Sequence, residues 1–182
     1  MEAITHILTG ILTQLLCFIF FPLPVAILLT IIFGFFSHFI TDSLAKLTYH
    51  TPIPHTEDKV WVIWHVLTVG LNGLLIIWLC IIDWTLFFFL LLGAISANLV
   101  DLWDWVFLRP KQRKVKAQDP NAKFWGDNLF IHPAIDKFRA NIPLFSKLPN
   151  LTENKKGIIT EIITITILWL LDAYFLGILL AV

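Results

Sequence analysis

The chain has 182 residues, 58% of them hydrophobic and only 14% charged, with thirteen basic and thirteen acidic side chains. A water-soluble domain carries roughly 25% charged residues, and one core of this size could not bury so much apolar surface. Zero net charge leaves no basic field for a nucleic acid, so both a soluble domain and a nucleic-acid partner are excluded. What remains is an all-α, polytopic membrane bundle.

A helix that spans a bilayer needs about 20 mostly apolar residues, and five such stretches follow one another. They cover about 4–20, 25–47, 60–82, 84–108 and 157–181, within a single membrane domain over 1–182. The first is closed by Pro22-Leu23-Pro24. Residues 109–156 form a polar connection, with a short helix expected around 130–140. Met1-Glu2 supplies no basic leader, and the first apolar run continues into the second, so no signal peptide is expected. Cys17 and Cys80 lie inside apolar runs and read as small buried hydrophobes.

Consecutive spans alternate in direction. All thirteen Lys and Arg residues then fall on one side, and the other side holds two tight turns, the C-terminus and a single loop charge, Asp83. The positive-inside rule makes the charged side cytoplasmic and the chain integral to the plasma (inner) membrane. Trp61, Trp64, Trp84 and Trp105 sit near span ends, as amphipathic rings prefer.

Helix direction also gathers polar residues into one layer. His6 begins the first span, and His38 and Asp42 end the second. His65 lies two turns into the third, Asn98, Asp101 and Asp104 end the fourth, and Glu161 starts the fifth. At 1.5 Å per residue all lie roughly 5–15 Å below the cytoplasmic surface. His38 and Asp42 share a helical face at i, i+4, and His132 and Asp136 repeat that spacing in the polar connection. Ionisable groups at membrane depth are costly and face a bundle interior. Imidazole plus carboxylate is a ligand set for zinc first, with manganese or magnesium as alternatives. His6, His38, Asp42, His50, His65, Asp101, His132 and Asp136 are therefore the candidate ligands, and Asp104 and Glu161 the candidate bases. Lys46, Asn98, Arg109 and the loop residue His55 are candidate substrate contacts. Gln14, Asn72 and Asp172 lie deeper on the same faces, as a hydrogen-bonded plug or a continuing path. The basic segment from Arg109 to Pro120 reads as a solvated loop able to hold anionic lipid headgroups.

Gly34-Phe-Phe-Ser-His-Phe-Ile-Thr-Asp42 resembles the G-x-x-S-H-x-x-x-D motif of a family of membrane-bound metal-dependent hydrolases of bacterial inner membranes. His6 is similar to that family's early histidine, and His132 to Asp136 to a late His-x-x-x-acid. The family is related to zinc-dependent phospholipases C and single-strand nucleases, all-helical enzymes. Its Asp-x-Asp precedes the Ser-His motif, whereas Asp101 and Asp104 follow it here. The resemblance implies hydrolysis of a phosphoester, with a membrane lipid as substrate at the cytoplasmic leaflet. The alternative is a divalent-cation or proton transporter that uses the same cluster and, with only five spans, works as a homo-oligomer. A lipid-transferring synthase fits less well, because the Asp101-x-x-Asp104 spacing is wrong and no second Asp-rich motif exists.

Overall fold

The computed structural model describes residues 3–49, 57–82 and 84–181. His50, His55 and Asp83 lie outside the described residues, as do the side chains of Asn72 and Cys80. The chain is 84% helical, with no strand among the described residues. In order the helices are α1 (Ala3–Phe20), α2 (Leu23–Leu44), α3 (Lys59–Ile82), α4 (Trp84–Asp101), α5 (Arg109–Gln118), α6 (His132–Asn141), α7 (Pro143–Ser146) and α8 (Lys156–Ala181). Among the described residues four helices are long and apolar enough to cross a membrane: Ala3–Phe20, Leu23–Leu47, Trp84–Gln118 and Lys156–Ala181. The remaining expected span is α3, a helix of 24 residues. Leu28, Phe33, Phe36 and Ile40 of α2 and Ile159, Ile163, Ile167 and Leu170 of α8 point outward. Apolar surface of this extent has no place in water and suits a hydrocarbon surround.

Helices α1, α2 and α4 pack against one another, α8 lies along α1, and α3 contacts α4 and α1. Small residues permit this close approach, as they do where membrane helices meet without a hydrophobic driving force. A Cβ on Gly10 would overlap the Gly93 carbonyl and come within 2.8 Å of Ala97 Cβ, and a Cβ on Gly34 would lie 2.7 Å from Ser96 Cβ. Gln14 finishes the α1–α4 crossing. Its carboxamide accepts from Gly93 N–H at 2.7 Å and donates to the Phe89 carbonyl, the two groups that one turn of α4 places side by side. Gln14 is thus the expected buried polar plug, held between two helices.

One boundary differs from expectation. The fourth helix does not stop at residue 108 but continues through a π-helical segment, Leu102–Leu108, into α5. Pro110 is the cause of both the expectation and the outcome. Proline lacks an N–H and clashes with the carbonyl four residues back, which normally ends a helix. Here the turn before it widens, with Arg109 N–H bonded to Asp104 O, five residues back. Such a bulge absorbs the clash. Beyond it Lys, Arg, Gln and Ala are good helix formers, so the basic segment is a helix with no buried residue and not a loop.

The connection after α5 folds back onto the end of the bundle where α2 stops and α8 begins. Leu151 N–H donates to Lys46 O at 2.6 Å, and Lys46 Nζ donates to Ser146 O at 3.3 Å. Gly157, at the start of α8, sits so close to residues 48–49 that an added Cβ would meet Tyr49 N at 2.6 Å.

Candidate metal centre

Five side chains from four helices meet at one end of the bundle. His6 comes from the first turn of α1, His38 and Asp42 from the last two turns of α2, Asp101 from the last residue of α4 and His132 from the first residue of α6. The i, i+4 spacing points His38 and Asp42 inward together. His6 Nε2 lies 3.2 Å from Asp42 Oδ1, and His38 Nε2 lies 3.2 Å from Asp42 Oδ2 and 3.9 Å from Asp101 Oδ1. His132 Nε2 lies 3.5 Å from Asp42 Oδ2 and 3.3 Å from Asp101 Oδ1. Ligand atoms bound at about 2.1 Å to a zinc-like ion lie roughly 3–3.5 Å from each other. The spacing matches that requirement. His6, His38 and Asp101 offer one set of ligand atoms all within 4.8 Å of each other, and His38, Asp42 and His132 a second.

The other ring nitrogen shows which atom each histidine offers. His38 Nδ1 is 2.7 Å from the Ala97 carbonyl, which can only accept, so Nδ1 carries a proton. His6 Nδ1 is 2.8 Å from Thr41 Oγ1, a hydroxyl also within bonding distance of the Ser37 and His38 carbonyls, so Thr41 fixes the His6 ring whichever of the two groups donates. His132 Nδ1 is 2.7 Å from Asp104 Oδ2 and donates to that carboxylate. All three rings are thereby turned so that Nε2 faces Asp42 and Asp101. Locking Nδ1 with a carbonyl, hydroxyl or carboxylate is how metal-binding histidines are oriented. His6 and His38 stack at 4.0 Å between centroids with 14° between planes, which keeps their Nε2 edges side by side. His38 Nε2 is buried and makes no hydrogen bond among the described residues. A buried ring nitrogen aimed at carboxylates without bonding them fits a site built for a cation between them. These groups could hold a divalent metal ion.

Electrostatics agree. Burial opposes protonation of the His132 imidazole, yet hydrogen bonds to Asp101, Asp42 and Asp104 more than offset it and push its pKa up to about 10. The carboxylates at this end of the bundle favour positive charge in their midst.

Asp104 has a different task from the one its sequence position suggests. It is 1% exposed. Its oxygens accept from Ile131 N–H at 2.9 and 3.0 Å, His132 N–H at 2.9 Å and His132 Nδ1–H at 2.7 Å. With its acceptor capacity spent on the first turn of α6, it positions His132 and is not placed as a general base. The widened turn at Leu102–Leu108 holds Asp104 at this point. Asp104→Asn is expected to weaken metal binding about 10–100-fold while helix content stays unchanged, as read by zinc titration and circular dichroism. Unaltered affinity would remove Asp104 from the site.

Several other candidates are not brought together with these five. Asp136 bonds Arg139 at 2.6 Å, and its side chain is 66% exposed. One turn along α6 carries it away, because only the first turn is tied down by Asp104. His65 donates through Nδ1 to the Trp61 carbonyl at 2.8 Å and stacks on the Trp61 ring at 4.1 Å, outside both ligand sets. Asn98 is used on the Ala94 carbonyl one turn back. Lys46 is used in tethering Ser146. Glu161 is fully buried on α8 and belongs to neither ligand set. Two groups were invisible to sequence reasoning, Thr41 and the Ala97 carbonyl. Thr41 is signalled only by standing next to Asp42 and three residues after His38; a backbone acceptor leaves no signal at all.

Comparisons with protein-family models, with curated proteins and with solved structures found no match. The site stands on its geometry. An apolar cavity of about 550 Å³ lies between α1, α3 and α8, lined by Ile4, Leu8, Leu71, Leu74, Ile165 and Trp169 among others. Ile4 and Leu8 are each two positions from His6, about 200° around the helix. The cavity therefore lies across α1 from the metal ligands and is not their mouth.

Proposed function

We propose that this chain is a membrane-embedded, metal-dependent hydrolase that cleaves a lipid phosphoester at the cytoplasmic leaflet. The observation that carries the reading is the convergence of three imidazole Nε2 atoms on Asp42 and Asp101, each ring fixed through Nδ1. The resemblance of Gly34-to-Asp42 to the hydrolase motif adds the reaction type. Zinc is the first choice of metal for a borderline nitrogen–oxygen donor set, ahead of manganese. Bound there, the ion would lower the pKa of a water to near neutrality and polarise phosphoryl oxygens.

The residues of the chain supply the rest. His6, His38, His132, Asp42 and Asp101 hold the ion, Asp104 keeps His132 in register, and Thr41 does the same for His6. Asp101, with 31% of its side chain exposed against 14% for Asp42, is the ligand carboxylate most open to a substrate and the best placed to take a proton from water. The thirteen cations on one side orient the site toward the cytoplasm. The test uses purified protein in phosphatidylcholine–phosphatidylglycerol–phosphatidic acid vesicles. Release of phosphate or a phosphorylated headgroup is expected with zinc or manganese added back, and none after chelation. Full activity in a metal-free preparation would sink the reading.

Cation transport is the second reading, and Asp172 is the observation that favours it. This carboxylate is 8% exposed within the apolar span of α8, and neither oxygen has a hydrogen-bond partner among the described residues. An acid at such depth belongs by default to an ion or proton path. Against it, Gln14 is used up in the α1–α4 crossing. Zinc flux into proteoliposomes that is lost in Asp172→Asn would establish transport; no flux in either protein leaves the hydrolase.

A further inference from the structure

Arg109 is a site candidate whose surroundings, among the described residues, leave it work to do. Its guanidinium lies between two rings, 4.7 Å from the Trp105 centroid and 5.1 Å from that of Phe130. Among the described residues its buried Nε has no hydrogen-bond partner, and the one bond the guanidinium makes, Nη1 to Gln112 Oε1, is long at 3.4 Å. Among the described residues no carboxylate pairs with it, whereas Arg139 has Asp136 at 2.6 Å. A partly buried cation without a counter-charge is costly unless something anionic completes it. Planar stacking on aromatic faces fixes the fork and leaves its edge for a bidentate acceptor.

The clamp is also indexed to the metal ligands. Trp105 stands with its ring 6.0 Å from the His132 ring. Phe130 directly precedes the Ile131 and His132 amides that Asp104 grips. Arg109 therefore cannot shift without disturbing the same turn that delivers His132. Its distance from that imidazole is bounded by the two steps of 4.7 and 6.0 Å through Trp105. That is the reach of a lipid headgroup.

We propose that Arg109, clamped by Trp105 and Phe130, is a specificity-determining receptor for the phosphate charge of an anionic lipid. It would select phosphatidic-acid-like headgroups over zwitterionic ones. The proposal rests on the hydrolase reading for the use made of the bound lipid, not for the binding itself.

The test is native mass spectrometry of the full chain, stripped of metal by chelator and titrated with dioctanoyl phosphatidic acid, dioctanoyl phosphatidylcholine or inorganic phosphate. Phosphatidic acid is expected to bind about tenfold more tightly than phosphatidylcholine, since a charge-assisted bidentate pair is at stake. Arg109→Gln is expected to erase the difference, while Lys114→Gln, an exposed cation on the same helix, leaves it intact. Equal binding of the two lipids by the unaltered chain, or an undiminished preference in Arg109→Gln, overturns the proposal. So does an equal loss in Lys114→Gln, which would mark a diffuse basic surface. Inorganic phosphate that binds as tightly as the lipid overturns the lipid assignment and leaves a soluble-phosphate site. Should Arg109→Gln fail to fold, Trp105→Leu loosens the clamp and keeps the cation; a preference unchanged there is equally fatal. Because the titration is run without metal, a failed preference and a failed hydrolase reading are told apart.

Discussion

Asp42→Ala is expected to abolish divalent metal binding and turnover together while leaving the helices in place. The carboxylate faces His6 through one oxygen and both His38 and His132 through the other. Among the described residues no other group touches all three rings. Loss of an orienting partner alone costs about 10–100-fold in affinity, and loss of this central ligand exceeds that. The loss also reaches stability. A ligand present at about a thousandfold excess over its Kd stabilises a fold by roughly 4 kcal/mol, so zinc is expected to raise the melting temperature of the unaltered chain and leave that of Asp42→Ala where it is. His38→Ala behaves likewise, and Asp136→Ala, out on the exposed face of α6, binds metal normally. Elemental analysis and thermal melts of the parent and these three variants settle it. If Asp42→Ala retains stoichiometric metal, the five-residue centre is wrong.

The second large effect is expected far from any ligand. Gly93→Val forces a side chain into the Gly10 carbonyl, and Gly10→Val does the reverse. Ordinary overpacking costs about 1–3 kcal/mol because side chains can yield. Here the obstacle is backbone, so α1 has to leave α4, and the cost falls at or beyond the top of that range. Displacement of α1 takes His6 with it and strips Gly93 N–H of its bond to Gln14. Both substitutions are expected to lower thermal stability sharply and to lose metal as a consequence. Gly177→Val is the control, because nothing lies within 4 Å of a Cβ there. Gln14→Leu is milder, at about 1–3 kcal/mol for stranded backbone groups. A Gly93→Val chain that melts with the parent would refute the crossing.

Much of this centre was legible because direction and depth are simple quantities. Alternating spans place the start of α1 beside the ends of α2 and α4, and a rise of 1.5 Å per residue places His6, His38, Asp42 and Asp101 in one layer. Which face each residue occupies inside that layer was not legible. His65 has the right depth but is turned onto Trp61. Asp136 has the right spacing from His132, yet the spacing matters only if the helix runs along the site, and α6 merely touches it with its first turn. Asp104 has the right depth and face, and its role was misjudged because backbone amides as partners cannot be read from side-chain types. Pro110 pointed to a helix end, since nothing in composition distinguishes a proline that breaks a helix from one that a wider turn accommodates.

The place of His132 in the chain has a consequence for how the protein is made. Four of the five ligands, His6, His38, Asp42 and Asp101, belong to the first 101 residues, and the fifth arrives only with residue 132. During synthesis the earlier helices enter the bilayer as an open half-cup. Closure waits for the connection between α5 and α8 to emerge and for Asp104 to seize the amides of residues 131 and 132. On the proposed metal reading, loading is a late event of biogenesis, and a nascent chain arrested before residue 132 is expected to insert correctly yet hold an ion poorly.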